Sequence, residues 1–251
     1  MPYCHLLPFA DFHQWEAETI HPDFFSSDFS NWCDHVAREH CVPLADDPNL
    51  IGYFYIDCPT WVHTRKENIW KGPLFDAEKL TTDAGRTELY ELATQYYKVT
   101  HDAIRRYDPH HLILGDRYEA KAPLPVEVVN AAKPFVDVLS FQHFGKPDDV
   151  RQDFERWFKQ TGMPILLADG SGSKKKPDGT RGQDGQQYKQ TLDVLRSNPG
   201  CIGFHLCGAY LSNRVRRKGL RNETEEPDTE AIRMITLANR RTTEWAADFA
   251  R

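Results

Sequence analysis

This 251-residue sequence lacks several features that mark particular classes of protein. It has no apolar run near about 18 residues, so no membrane span is predicted. Its formal net charge of -6 provides no basic surface, so nucleic acid is not an expected partner. No GxGxxG or GxxxxGKS/T motif follows an apolar run, so nothing in the sequence supports a nucleotide-binding fold. The N-terminus lacks a basic start and a long apolar stretch, so it is not a plain signal peptide.

The six cysteines include no CxxC pair and show no zinc-ligand spacing. Several of them lie in or beside predicted strands, which indicates reduced core thiols in a cytoplasmic protein. A signal peptide removed by processing would instead make the protein secreted. The main interpretation implies neither a metal nor another cofactor.

The stretch LIGYFYIDCPTW, residues 50–61, combines a continuous apolar run with an acidic residue where that run ends. Its first seven residues are mostly apolar, β-branched or aromatic, which is typical of a strand buried on both faces. Asp57 stands where this run ends, and Pro59 cannot continue a central strand. A carboxylate at the end of a buried strand is costly unless it is paired or used. The alternative is that Asp57 caps the segment that follows.

Apolar runs alternate with helical patterns along the whole chain. Strands are predicted at residues 3–9, 50–56, 111–116, 135–144, 163–171 and 201–210. This alternation is typical of a parallel sheet covered by helices. We therefore expect one α/β domain over residues 1–251, a TIM-barrel-like (β/α)8 fold. Because the count gives six strands and a closed barrel needs eight, an incomplete barrel of about six βα units is also expected.

Polar residues recur where the predicted strands end. They are Asp57, Asp116 with Arg117, Gln142 with His143, Asp169, and His205. In a (β/α)8 barrel the C-terminal ends of the strands carry the active site. The pattern therefore predicts a site assembled from several strands.

Several short sequence segments, and the order in which they occur, resemble the retaining glycoside hydrolases of the large (β/α)8 clan, especially the β-agarase and β-galactosidase-like branch. DDPNLIGYFYID resembles the fourth strand of that family, FVDVLSFQHF the sixth, MPILLADGS the seventh and GCIGFHLCGAY the eighth. The resemblance implies a glycosidase that acts on a poly- or oligosaccharide, of galactan type or acidic. Compared with that family, the first two βα units are not identified in this chain: they are absent, their strands escape the apolar pattern, or they are supplied from elsewhere.

The catalytic positions depart from the family pattern. The fourth strand usually ends in Asp-Asn-Glu, but here Asp57 is followed by Cys58 and Pro59. The seventh strand usually ends in a nucleophilic Glu, and Asp169 stands at that place. Retaining enzymes hold their carboxyls about 5–5.5 Å apart and inverting enzymes about 6.5–9.5 Å. Since Asp is one methylene shorter than Glu, two Asp on the same scaffold could sit farther apart. Because their strands face one another in the resembled barrel, we predict that Asp57 and Asp169 act as an acid and base pair, with stereochemistry left open.

Other residues are predicted to bind substrate or to support the site. Asp116 could be a third carboxylate, or it could form a local ion pair with Arg117, which could also orient a carboxylate. His143 and His205 could bind sugar hydroxyls or assist proton transfer. Four aromatic residues could stack on sugar faces or simply pack in the core: Trp15, Trp61, Trp70 and Tyr210.

Two basic clusters follow the strands that resemble the seventh and eighth strands of that family. They are Lys174, Lys175 and Lys176, and then Arg214, Arg216, Arg217 and Lys218. Such runs are usually solvated, but at the mouth of a barrel they could bind an acidic polysaccharide.

Two other functions remain open. One is an inactive carbohydrate-binding pseudoenzyme of the same fold. The other is a metal-assisted barrel hydrolase that uses Asp57, Asp116, His143, Asp169 and His205 as ligands. An incomplete barrel exposes strand edges, which a second chain or a rearranged N-terminus would cover, so a homo-oligomer is expected.

Overall fold

The computed structural model describes residues 2–10, 21–62, 75–176, 179, 181–208, 219–222 and 224–249. The chain divides into two compact units, Met1–Phe141 and Gln142–Arg251. The elements of the first unit are, in order, β1 (Tyr3–Leu6), α1 (Ser27–Cys41), a 3-10 turn (Val42–Leu44), β2 (Leu50–Asp57), a second 3-10 turn (Ala77–Thr81), α2 (Asp83–Tyr107), β3 (Leu112–Glu119), α3 (Val126–Ala132) and β4 (Leu139–Gln142, whose last residue belongs to the second unit).

The second unit continues the alternation of helices and strands. Its elements are α4 (Pro147–Thr161), β5 (Ile165–Gly170), β6 (Ser173–Lys175), β7 (Arg181–Gln183), α5 (Gly185–Ser197), β8 (Cys201–Leu206) and α6 (Thr229–Phe249). None of the helices in the described ranges has the length and hydropathy needed to cross a bilayer.

The fold class is α/β, as predicted, with six parallel strands and the pattern of an incomplete TIM barrel. In the first unit the strand order is β1-β2-β3-β4, and in the second β8 pairs with β5 in parallel. The six strands lie at the six predicted places. The antiparallel hairpin of β6 and β7 was not predicted, because the sequence there indicates only a polar loop.

Helix α2 supplies much of the core of the first unit. Its buried residues recur at helical spacing and include Leu89, Ala93, Tyr96, Tyr97 and Ile104. Thr82 caps the start of the helix, where its hydroxyl accepts the amide hydrogen of Gly85, and Asp108 caps its end, directly before Pro109. Helix α2 packs against α1 and α3.

The second unit has its own apolar cluster. Tyr188 and Leu192 of α5 pack against Ile235 and Ala238 of α6, and Phe204 of β8 joins them. Gly162 follows the last residue of α4 and has a left-handed backbone, φ 69°, the conformation that glycine commonly adopts at the end of a helix.

Gly52 of β2 allows β3 to approach closely, which leads to a stability prediction. A methyl group at residue 52 would overlap the carbonyl oxygen of Leu112 and lie 2.9 Å from its Cβ. We expect Gly52→Ala to lower the free energy of unfolding by about 2–3 kcal/mol, because backbone atoms must move apart. The measurement is urea unfolding of both proteins.

The matched control for this substitution is Gly162→Ala. Apart from its chain neighbours, no atom of the described residues lies within 4 Å of a methyl group at residue 162, so its positive φ is what opposes alanine, at a cost of about 1 kcal/mol. If Gly52→Ala costs no more than the control, the close approach of β2 to β3 is not a constraint on this sequence.

Candidate active site

The end of β2 and the end of β3 carry an ion pair. Arg117 Nη2 lies 3.2 Å from Asp57 Oδ2, and each side chain is about a quarter exposed, at 22% for Arg117 and 24% for Asp57. The guanidinium also lies over the ring of Phe54, 5.4 Å from its centroid. Arg117 therefore pairs with a carboxylate at the strand ends, and its predicted role in orienting that carboxylate stays a prediction.

A bulge near the end of β2 determines the direction of Asp57. Phe54 pairs with Gly115, and Asp57 then pairs with Arg117, so three residue steps in β2 oppose two in β3. Side chains alternate between the faces of a strand, so three regular steps would place Asp57 on the face opposite Phe54. The extra residue restores it to the face of Phe54, where Arg117 contacts both.

The backbone around the bulge has two residues with positive φ. Gly115 in β3 has φ 63°, a conformation that glycine adopts without penalty. Cys58, the residue after Asp57, has φ 45°, which is uncommon for a non-glycine residue. The amide of Cys58 donates to the carbonyl oxygen of Arg117 at 3.0 Å. Such strained positions persist only where the surroundings hold them, and they are common at functional sites.

Asp57 and Arg117 line a cleft of about 750 Å³ in the first unit. This volume lies within the range of small-molecule binding pockets, about 300–1,000 Å³. Aromatic and aliphatic side chains form most of the described wall, and carboxylates lie among them. The lining residues are Leu6, Pro8, Phe9, Ala10, Pro22, Asp23, Ser26, Asp28, Phe29, Trp32, Tyr55, Ile56, Asp57 and Arg117.

Trp32 of α1 is an exposed aromatic residue in the wall of the cleft, and the sequence pattern did not single it out. Its side chain is 46% exposed, and its indole Nε1 donates to the carbonyl oxygen of Pro8 at 3.2 Å. That hydrogen bond fixes the ring beside the loop after β1. An amphipathic ring held in this way could stack on a sugar face.

Trp61, which was predicted to contact substrate, lies in the core of the first unit. Its ring is 2% exposed and lies 5.7 Å from the ring of Tyr96 and 6.0 Å from that of Tyr97. These contacts correspond to the packing role that the sequence also allowed. The other aromatic candidates, Trp15, Trp70 and Tyr210, lie outside the described residues.

Asp116 faces α2, on the opposite side of β3 from Arg117. It is 1% exposed, and its carboxylate accepts the hydroxyl hydrogens of Tyr96 at 2.9 Å and Tyr97 at 2.7 Å. The expected ion pair with Arg117 is therefore not formed, because neighbouring residues of a strand point to opposite faces. Burial raises the pKa of Asp116 to about 7, although the hydrogen bonds from the two tyrosines and from Ile56 lower it in part.

In the second unit, Asp169 and His143 are joined through the backbone. The amide of His143 donates to the carbonyl oxygen of Asp169 at 2.9 Å. The His143 ring is fully buried; its Nδ1 accepts the amide hydrogen of Gly145 at 3.0 Å, and its Nε2 lies 3.0 Å from Asp153 Oδ2. Since Nδ1 is an acceptor, Nε2 carries the proton, and both nitrogens of His143 are used inside the unit.

His205 lies in β8 and is partly buried.

The lysines after β5 are held by acids near the start of α6. Lys176 Nζ lies 2.7 Å from Asp228 Oδ2, and Lys174 Nζ lies 3.6 Å from Glu230 Oε2. These ion pairs attach the β6–β7 hairpin to α6, and Lys175 remains exposed on it. The second basic cluster, residues 214–218, lies outside the described part of the chain.

The metal-assisted alternative receives no ligand set from the structure. Within the described ranges, no group of three or more His, Cys, Asp or Glu side chains is arranged to hold a metal ion.

All six cysteines are free thiols.

The fold resembles known glycoside hydrolase structures. An exo-β-agarase matches with a TM-score of 0.74 and 18% identity, over 98% of this chain and 42% of that chain. The agarase AgWH50C matches with a TM-score of 0.72 and 17% identity, over 98% and 44%. A GH5_18 protein from Streptomyces cattleya matches with a TM-score of 0.60 and 14% identity, over 94% and 57%.

These likenesses show the fold, and they confirm the resemblance to the agarase-like barrels that the sequence indicated. This chain spans less than half the length of the agarase structures it matches. The sequence matches no protein-family profile and no curated protein.

Proposed function

We propose that this chain is a glycoside hydrolase that acts on a galactan-type poly- or oligosaccharide, with Asp57 and Asp169 as its two carboxylates. The observation that carries the proposal is the Asp57–Arg117 pair in a 750 Å³ cleft at the strand ends of an agarase-like fold. Carboxylates at these strand ends are where barrel enzymes place their chemistry.

The environment of Asp57 suits a carboxylate that acts in its charged form. A guanidinium at 3.2 Å favours the negative charge and holds the carboxyl group in one direction. Hydrolysis of a glycosidic bond needs one carboxylic acid to protonate the leaving oxygen and one carboxylate to act as base or nucleophile. In our proposal Asp57 is the group that acts as the carboxylate, and Asp169 is the second carboxyl group of the pair.

The cleft also offers the groups that recognise a sugar. The exposed ring of Trp32 provides apolar surface for the C–H face of a pyranose ring, while Asp23 and Asp28 can accept hydrogen bonds from hydroxyl groups. The names of the matched structures, an exo-β-agarase and an agarase, favour a galactan as the substrate class. An acidic polysaccharide is less favoured, because two of the three hairpin lysines have carboxylate partners.

One observation favours a second candidate, a carbohydrate-binding protein without hydrolytic activity. In this chain Asp57 is followed by Cys58, where the resembled family has the sequence Asp-Asn-Glu and uses the Glu as acid/base. Binding in the same cleft would then remain without cleavage.

The experiment that separates the two candidates measures binding and cleavage on the same samples. We expect oligosaccharides of neutral galactans to raise the melting temperature of the protein, because a ligand that binds the native state stabilises it. We also expect reducing ends to accumulate in those samples, and sulfated galactans and polyuronates complete the panel. A melting-temperature shift without reducing ends would favour the binding protein, and neither signal with any carbohydrate would contradict both candidates.

A further inference from the structure

Three contacts join the end of β2 to two consecutive residues of β3. The Ile56 amide donates to Asp116 Oδ1 at 3.4 Å, and Arg117 pairs with Asp57 at 3.2 Å. The Cys58 amide donates to the Arg117 carbonyl oxygen at 3.0 Å. The register shift lies between Phe54 and Asp57, and the Ile56 amide falls inside that segment, so its geometry depends on both Asp116 and Arg117.

Asp116 is in turn attached to helix α2. Its two carboxylate oxygens each accept a tyrosine hydroxyl hydrogen, Oδ1 from Tyr96 and Oδ2 from Tyr97. The Tyr97 hydroxyl also lies 2.5 Å from that of Tyr118. A fully buried, fully hydrogen-bonded carboxylate of this kind holds the groups around it in one arrangement.

We infer that Asp116 is a positioning residue: it ties the Ile56 amide to α2 and thereby fixes the bulge that directs Asp57 toward Arg117 and the cleft. The consequence for catalysis rests on the proposed function. The positioning itself does not, because it is a statement about the first unit alone.

The groups around Asp116 are mostly neutral tyrosines. Those that face it in the described residues are Tyr96 and Tyr97 from α2, Tyr55 from β2 and Tyr118 from β3. Cys33 of α1 and Arg105 of α2 lie within electrostatic reach of this tyrosine cluster, and Phe141 of β4 packs on Tyr118.

Since burial raises the pKa of Asp116 to about 7, its charge changes near neutral pH. A neutral carboxyl accepts the Ile56 hydrogen more weakly than a carboxylate does.

The test is an NMR titration of protein labelled with 15N-isoleucine. We expect the Ile56 amide shift to follow pH with a midpoint near 7 in the native protein, and to stay constant in Asp116→Asn. Tyr97→Phe, which keeps the charge, should raise the midpoint, because a hydrogen bond that favours the carboxylate is lost. If Asp116→Asn does not fold, the shift of the midpoint in Tyr97→Phe serves as the test.

The matched control is Asp108→Asn. Asp108 is also fully buried and accepts a tyrosine hydroxyl hydrogen, from Tyr53 at 2.7 Å, but it lies before β3 begins. This variant should keep the Ile56 titration. An Ile56 amide shift that is the same in Asp116→Asn as in the native protein across the titration, or a titration that persists in the variant, would overturn the inference.

A second readout concerns catalysis. If the protein releases sugar, Asp116→Asn should lower kcat about 10-fold, leave KM nearly unchanged and remove a step near pH 7 from the pH profile, while Asp108→Asn keeps that step. A rate and pH profile unaltered by Asp116→Asn would overturn the positioning role. The NMR titration needs no substrate, so a failure to find any sugar release contradicts the proposed function and leaves the NMR result to decide the inference.

Discussion

Replacement of Asp57 by Asn is expected to slow the release of reducing sugar by at least about 100-fold, the scale on which a positioned acid or base contributes to catalysis. Asn has nearly the shape of Asp, so it preserves the packing beside Phe54, but its amide cannot take up a proton from water or attack a sugar. It also leaves Arg117 without the carboxylate that lies 3.2 Å away. We expect KM to change much less than kcat, since the shape of the cleft is retained.

The control for this prediction is Asp102→Asn. Asp102 is an exposed residue of α2 whose carboxylate pairs with Lys98 at 2.6 Å, and exposed pairs of this kind contribute little to stability. The activity of the Asp102→Asn variant should equal that of the native protein. Full activity in Asp57→Asn, with a normal melting temperature, would place the chemistry on other residues.

Asp169→Asn should produce a loss of similar size, and the double variant should be about as slow as the slower single variant. Residues that act as one catalytic unit are strongly non-additive, because removal of either disables the same step. Independent, multiplicative losses would mean that the two carboxylates do not serve one reaction.

The charge of Asp116 is expected to have the largest effect on stability. An unfolded aspartate has a pKa near about 3.9, whereas burial raises the pKa of Asp116 in the folded protein to about 7. Between these values the folded state binds a proton that the unfolded state does not. The stabilisation by Asp116 is therefore complete at low pH and is lost as the pH rises through 7.

The measurement is urea unfolding of the native protein and of Asp116→Asn between pH 4 and pH 8. Relative to the variant, the native protein should lose about 4 kcal/mol of unfolding free energy across this range, from about three pH units at 1.36 kcal/mol each. Other titrating groups cancel in the difference. A difference that is independent of pH would mean that Asp116 stays ionised in its buried site.

The strands were predictable because each is a nearly continuous apolar run that ends in a polar residue. In Leu50–Asp57 the apolar run marks a strand buried on both faces, and the structure has β2 over those residues. The hairpin of β6 and β7 was not predictable in this way. Its strands have three residues each and carry lysine, serine and arginine, so they show neither an apolar run nor alternation.

The placement of the site residues needed information that is not local. Asp116 and Arg117 are adjacent in sequence, and alternation dictates that they face opposite sides, but it does not say which one faces the cleft. The extra residue in β2 decides the direction of Asp57, and only Gly115 and Pro59 hint at irregular backbone nearby. The sequence therefore identified these residues as site candidates, but it did not predict that Asp57 pairs with Arg117.

Trp32 was missed for a geometric reason. The apolar stripe of α1 runs through Phe29, Cys33, Val36 and Ala37, all of which are buried. Trp32 lies at the edge of that stripe, where a small rotation of the helix decides whether the indole is buried or exposed.

The measurement that tests the central claim most directly is a 1H NMR time course of neutral galactan oligosaccharides with the native protein. Our account predicts new reducing-end anomeric signals that grow with time in the presence of the native protein and not in the presence of Asp57→Asn. The anomer that forms first would distinguish a retaining from an inverting reaction. Unchanged oligosaccharide spectra across the panel, with protein that is folded by circular dichroism, would contradict the assignment as a glycoside hydrolase.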